Sequence, residues 1–154
     1  FTRSPHKLES QMADCSDPQI ADGYQAVRND ADDTDWFVAG YDGPTKIVFQ
    51  NKGSDGFSGF AAALDDSQCQ YGFVRFTTGD EESKRAKFAL ISWAGPGAKA
   101  LQRAKMSVHK ASVKEVVRDF AIEYHAAERA DLDEEKIRQT IIKAGGANYS
   151  VQGQ

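Results

Sequence analysis

The sequence holds little of what most chemistry needs. Of its 154 residues only two are cysteine and three histidine. Cys15 and Cys69 are too few and too far apart to suggest a disulfide framework, so a reducing cytoplasm is the expected compartment. His6, His109 and His125 are scattered. None stands at metal-ligand spacing from a cysteine or carboxylate, so no metal is expected, and a lone helical histidine reads as structural or solvated. No window approaches the roughly 18 apolar residues of a membrane-spanning helix, and no membrane partner is expected. There is no Walker loop and no GxGxxG, so no nucleotide cofactor is expected. Gly56-Phe57-Ser58-Gly59 lacks the second glycine that a nucleophile elbow requires. Asp30, Asp32, Asp33 and Asp35 suggest a calcium loop but fail on spacing, with Thr34 and Asp35 where a ligand and a glycine belong. The balance favours a binding protein over an enzyme.

Charge carries more information. The net charge is −4, which argues against a general nucleic-acid binder. From Lys84 to Arg118, however, nine basic residues stand against one acid, Glu115. That segment carries +8 and leaves −12 for the rest of the chain. Such segregation creates a local positive field that can steer an acidic partner and weakens with salt.

Along the chain, residues 1–11 have no apolar stretch of the secretory kind and are expected to be an expression tag or a disordered arm ahead of Met12. Asp17-Pro18 reads as a helix start, with Ile20, Tyr24 and Val27 on one face and an end near Asn29. Trp36 to Tyr41 and Lys46 to Gln50 read as a hairpin around Asp42-Gly43-Pro44, followed by a loop from Asn51 to Gly56. Phe57, Phe60, Ala61 and Leu64 predict a short helix. Tyr71 to Gly95 reads as two strands joined by a charged turn, with Lys84, Arg85 and Lys87 at its tip. After Gly95-Pro96-Gly97 the pattern turns helical. Leu101, Ala104 and Val108 fall roughly on one apolar face, while Lys99/Arg103 and Lys110/Lys114/Arg118 form rows on the exposed side. Periodicity leaves open one helix or two, and Phe120 to Ala126 suits either a helix or an edge strand. Asp131 with Glu134 resembles a capping box, Ile137 and Ile141 form the stripe of a last helix, and Lys143 falls in its final turn before Gly145-Gly146 ends it. The expectation is a single α/β domain over 12–149 with about five strands and flanking helices, and a flexible tail over 150–154.

Arg75-Phe76-Thr77-Thr78-Gly79-Asp80, followed by Ser83-Lys84-Arg85-Ala86-Lys87-Phe88-Ala89-Leu90-Ile91, resembles coactosin-like members of the actin-depolymerising factor homology (ADF/cofilin) family. So do Tyr41-Asp42-Gly43, Leu101-Gln102-Arg103-Ala104-Lys105, Val113-Lys114-Glu115-Val116-Val117 and Lys143-Ala144-Gly145-Gly146-Ala147-Asn148-Tyr149. The blocks keep the family's order and cover nearly everything from Met12 onward.

The resemblance implies an α+β fold, a central mixed sheet of five to six strands with helices on both faces. It also implies binding to filamentous actin by a cytoplasmic monomer that modulates filament dynamics without strong severing. Residue by residue, the family's filament-contacting lysines fall on Lys87 and Lys143. The stretch that touches actin across the wider family falls on Leu101 to Lys114, bringing in Arg103, Lys105 and Lys114. Lys84 and Arg85 complete the expected actin-binding set. Relatives often carry a second basic residue just before the Lys143 position, where this chain has Ile142. The alternatives are a cofilin-like binder of actin monomers that severs filaments, and a scaffold for other cytosolic proteins. Exposed ion pairs contribute about 0–1 kcal/mol each, so useful affinity requires a desolvated apolar centre that the sequence does not locate.

Overall fold

A computed structural model describes residues 12–79 and 82–152. In chain order the elements are α1 (Pro18–Arg28), β1 (Trp36–Tyr41), β2 (Ile47–Gly53), α2 (Gly56–Ala62), β3 (Cys69–Thr78), β4 (Arg85–Ala94), α3 (Ala100–Val113), β5 (Ile122–Ala126), a 3-10 turn (Arg129–Asp131) and α4 (Glu134–Gln152). One five-stranded sheet has the order β2-β1-β3-β4-β5. Every pairing is antiparallel except β4 with β5. That parallel pair needs a crossover, and α3 supplies it.

Alternation along the strands sends side chains to two cores. Phe37, Tyr71, Phe73 and Leu90 meet Ile20, Tyr24 and Val27 of α1 and Met106 and Val113 of α3. Trp36, Val38, Val74, Phe76, Ile91 and Trp93 meet Phe57 and Phe60 of α2 and Ile137 and Ile141 of α4. Helices α1 and α3 therefore cover one face of the sheet and α2 and α4 the other. The central pair β3–β4 is buried on both faces, which is why it reads as an almost unbroken apolar run. Phe120 to Ala126, open between helix and strand on periodicity, supplies edge strand β5.

Asp17 performs two tasks at the opposite edge. One carboxylate oxygen accepts from the Gln19 amide at 3.0 Å and caps α1; the other accepts from the Phe49 amide of edge strand β2 at 2.9 Å. The Asp14 carbonyl accepts from Ile47 beside it at 2.9 Å. Two edge N–H groups that could recruit a foreign strand are thus occupied from within the chain.

Three expectations change. The loop expected from Asn51 to Gly56 is strand as far as Gly53, because Gly53 pairs with Trp36 and lets the indole lie across it. A Cβ at Gly53 would stand 2.4 Å from that ring. The cap of α4 is Asp133, whose carboxylate accepts from Glu135 and Lys136 at 3.1 and 3.2 Å. Asp131 instead forms a reciprocal box with Glu128 in the 3-10 turn, which delays the helix. Gly145-Gly146 does not end α4, which continues to Gln152. Two glycines cost about 1 kcal/mol each in a helix, less than is needed to stop one whose ladder continues on both sides. Lys143 consequently lies inside the helix and not in its final turn.

Candidate functional site

Helix α3 is built inside out relative to its apolar pattern. The side chains that face the sheet are Met106, His109, Ser112 and Val113, two of them polar. Leu101 and Val108 point outward, 69% and 49% exposed, and Ala104 between them is exposed as well. Leu101, Ala104 and Val108 were expected to form the packed face; they form the outer one. The reversal has a local cause: each polar residue on the inner face has a partner there. Ser112 Oγ accepts from the Ala13 amide at 3.1 Å, and His109 Nδ1 lies 2.7 Å from the Tyr41 hydroxyl. The result is a two-turn apolar row on the surface, beside Arg103, which is exposed, and Lys105, which is half-buried.

Beneath α3 runs a buried polar relay. The Tyr41 hydroxyl is 3.2 Å from that of Tyr71, which donates to the Met106 carbonyl at 2.8 Å. With Tyr71 spent on Met106, every donor is used once if His109 Nδ1–H donates to Tyr41 and Tyr41 to Tyr71. His109 Nε2 is then a bare acceptor, in keeping with its having no partner. A second proton there would be a buried donor without an acceptor. Burial first, and the charge of Lys105 second, hold the imidazole below its ordinary value of 6.5. Burial also pushes the Tyr41 hydroxyl up to about 12 and Tyr71 higher still, so neither competes as a charged partner.

The unfolded chain takes up the histidine proton that the folded chain resists, so stability is full above 6.5 and is lost as pH falls below it towards the folded-state value. The melting temperature is expected to fall between about pH 7 and 5.5. In His109→Gln, which keeps one hydrogen-bonding group for Tyr41, this component of the slope should disappear. Equal slopes in the two proteins would show that His109 does not couple to folding.

The basic residues are brought to two places. Arg85 and Lys87 lie on β4 itself and not in the turn, opposite Thr78 and Phe76. Only Lys84 belongs to the connection, which Gly79 enters with φ +95, a conformation that side-chain-bearing residues rarely adopt. Strand parity puts Arg85 and Lys87 on the face covered by α4. There Arg138 lies 5.6 Å from the Phe76 ring, and Lys143, a little over one turn further along α4, is exposed beside the exposed Ile142. Lys99, Arg103 and Lys105 sit at the other end. Lys99 and Lys105 adjoin Gln68 and Cys69 at the start of β3, and Arg103 adjoins Ala94 at the end of β4. The length of β4 separates the two groups by about 30 Å. The +8 of residues 84–118 is contiguous in sequence, whereas the fold divides it into two basic clusters on opposite faces, with the β5 edge between them.

Lys114 lies between the clusters and is held within the molecule. Its ammonium is 2.6 Å from the Glu123 carboxylate of β5, which also takes Lys110 at 3.1 Å. The hydrogen bond from Lys114, then that from Lys110, holds the Glu123 carboxyl below its ordinary range. Glu123 was not singled out from the sequence, since only the β4–β5 register brings it beside α3.

Where α3 begins, a cleft of about 460 Å³ opens between the β1–β2 turn, the start of β3 and the helix. Tyr41, Pro44, Cys69, Lys99, Leu101 and Lys105 line it, and among the described residues no acid does. Cys69 is buried, Cys15 half-buried, and both are free. Among the described residues no group of three or more His, Cys, Asp or Glu could hold a metal ion. The exposed side of α3 and the cleft at its start thus combine apolar and cationic side chains.

Comparison with known proteins identifies the family. The profile of a family described as cofilin/tropomyosin-type actin-binding protein matches residues 12–142. Coactosin of Dictyostelium discoideum is 41% identical over 140 residues, 90% of this chain and 96% of its own. The crystal structure of coactosin from Entamoeba histolytica superposes with a TM-score of 0.81 at 37% identity, covering 88% of this chain and 99% of that one. The solution structure of mouse coactosin, described as an actin filament binding protein, gives a TM-score of 0.73 at 42% identity over 92% of this chain and 99% of that one.

Proposed function

The chain belongs to the coactosins within the cofilin/tropomyosin-type actin-binding proteins, and on that premise we propose that it binds actin filaments through the outer face of α3. It acts by binding and not by catalysis, as a monomer at the actin cytoskeleton of the cytoplasm. The observation that carries the reading is the row Leu101, Ala104 and Val108, apolar, exposed and bordered by Arg103 and Lys105. An apolar strip gains free energy by leaving water, and its cationic border orients an acidic surface before contact. Lys84, Arg85, Lys87 and Lys143 form a second contact region at the hairpin end, suited to a partner large enough to reach around the β5 edge. A filament offers such an extended acidic surface.

Co-sedimentation with filaments at low and raised salt tests the reading, and absence of pelleting at low salt overturns it. Lys87→Met keeps the aliphatic stem on the Phe76 face and removes the charge. It should weaken pelleting by about two- to fivefold at low salt, as loss of a single charge at the margin of an interface does, and less at raised salt. Selective affinity for labelled monomers over filaments would favour a cofilin-like binder instead.

A further inference from the structure

We infer that Glu123 is an internal competitor for the filament: its carboxylate occupies Lys110 and Lys114 and lowers the affinity of the α3 surface. This rests on the filament reading above. Glu123 stands on the edge strand, 32% exposed, with its two oxygens divided between the lysines at 3.1 and 2.6 Å. Lys110, in the last turn of α3, and Lys114, its C-cap, fall in line with Arg103 at spacings of seven and four residues, so they continue the cationic border of the apolar row. Lys114 is further fixed by the Phe120 ring, 5.8 Å from its ammonium.

Two consequences follow for an acidic partner. To engage Lys110 or Lys114 it must displace a carboxylate that is already in place. Having done so, it meets that same carboxylate as a like charge at the margin of the contact. The seam between α3 and β5 carries three charges that sum to +1, where two free lysines would present +2. Pairs of this exposure are weak enough to be exchanged, so Glu123 tunes affinity without blocking binding. It also favours surfaces whose own carboxylates are placed to replace it, which makes it a positioning residue with an effect on specificity.

The prediction is opposite in sign to that for ordinary loss of an ion pair. Glu123→Gln preserves shape and should tighten filament pelleting by about two- to fivefold at low salt, with a steeper salt dependence that brings it back to wild type at raised salt. Glu123→Asp keeps the charge and should pellet as wild type does. Glu123→Thr, well suited to an edge strand, provides a second neutral variant if the amide folds poorly, and should show the same gain. Unchanged or weaker pelleting of the folded neutral variants, with wild type pelleting normally, overturns the role of Glu123 and leaves the filament reading standing. Wild type that fails to pellet overturns that reading, and the role of Glu123 with it.

Discussion

Replacing Leu101 and Val108 together with glutamate is expected to reduce filament affinity by about a hundredfold and to leave the fold unchanged. Burying one large aliphatic side chain is worth roughly 1.5–3 kcal/mol, and about 1.4 kcal/mol is tenfold in affinity. Leu101 is 69% and Val108 49% exposed, so most of that gain is still available on docking. Little of it is already spent in the core, which is why melting should move by no more than an exposed substitution usually causes, about 0.5 kcal/mol either way. The glutamates also reverse the sign of the surface beside Arg103 and Lys105, adding repulsion from an acidic partner. Leu101→Met with Val108→Ile keeps the apolar area and should bind as wild type does. Pelleting of the glutamate variant at wild-type affinity would remove the α3 row from the interface. A melting temperature that fell in step with affinity would mean that the row supports the fold.

This effect exceeds that of any single lysine because the apolar row and the basic clusters act differently. A charge at the rim changes encounter and salt response, and an apolar centre holds the complex. The same division governs what could be read from the sequence. Strand pairing was legible because β3 and β4 are buried on both faces, so nearly every position from Tyr71 to Phe76 and from Ala89 to Trp93 carries the signal. The caps of α1 were legible because Asp17-Pro18 is a local device. The face of α3 was not. Apolar residues occur on both of its sides, and the inner set includes His109 and Ser112, whose partners Tyr41 and Ala13 lie 68 and 99 positions away. Periodicity assigns faces only when one side is plainly more apolar, and here the bonds of the polar residues decide. Glu123 was hidden for the same reason, since its pairing depends on strand register. The basic segment was visible as charge, but its division into two clusters depends on which face of the sheet each element covers.

Arg75 sharpens that distinction, and Arg75→Ala is expected to cost about 2–4 kcal/mol of stability while leaving filament affinity per folded molecule unchanged. In sequence it opens Arg75-Phe76-Thr77-Thr78-Gly79-Asp80, the most distinctive block of the resemblance, and it could be counted as one more cation of the binding surface. The structure gives it other work. It occupies the next position along the strand face that buries Tyr71 and Phe73, and it reaches beneath the end of α1. Its Nε donates to the Val27 carbonyl at 2.9 Å, and Nη2 donates to Val27, to Asn29 at 3.1 Å and to Asp32 at 3.4 Å. The last carbonyls of a helix have no partner within it, and one guanidinium here satisfies that end and the loop that follows. Removing it leaves part-buried acceptors to water that reaches them poorly. For a domain of this size the melting temperature should fall by about 5–10 °C. Arg75→Lys should recover only part of the loss, because a single ammonium cannot span carbonyls that a planar fork holds together. A loss of pelleting by folded Arg75→Ala, measured well below its melting temperature, would instead make Arg75 a contact. Unchanged melting would show that water serves the end of α1 as well as the guanidinium does.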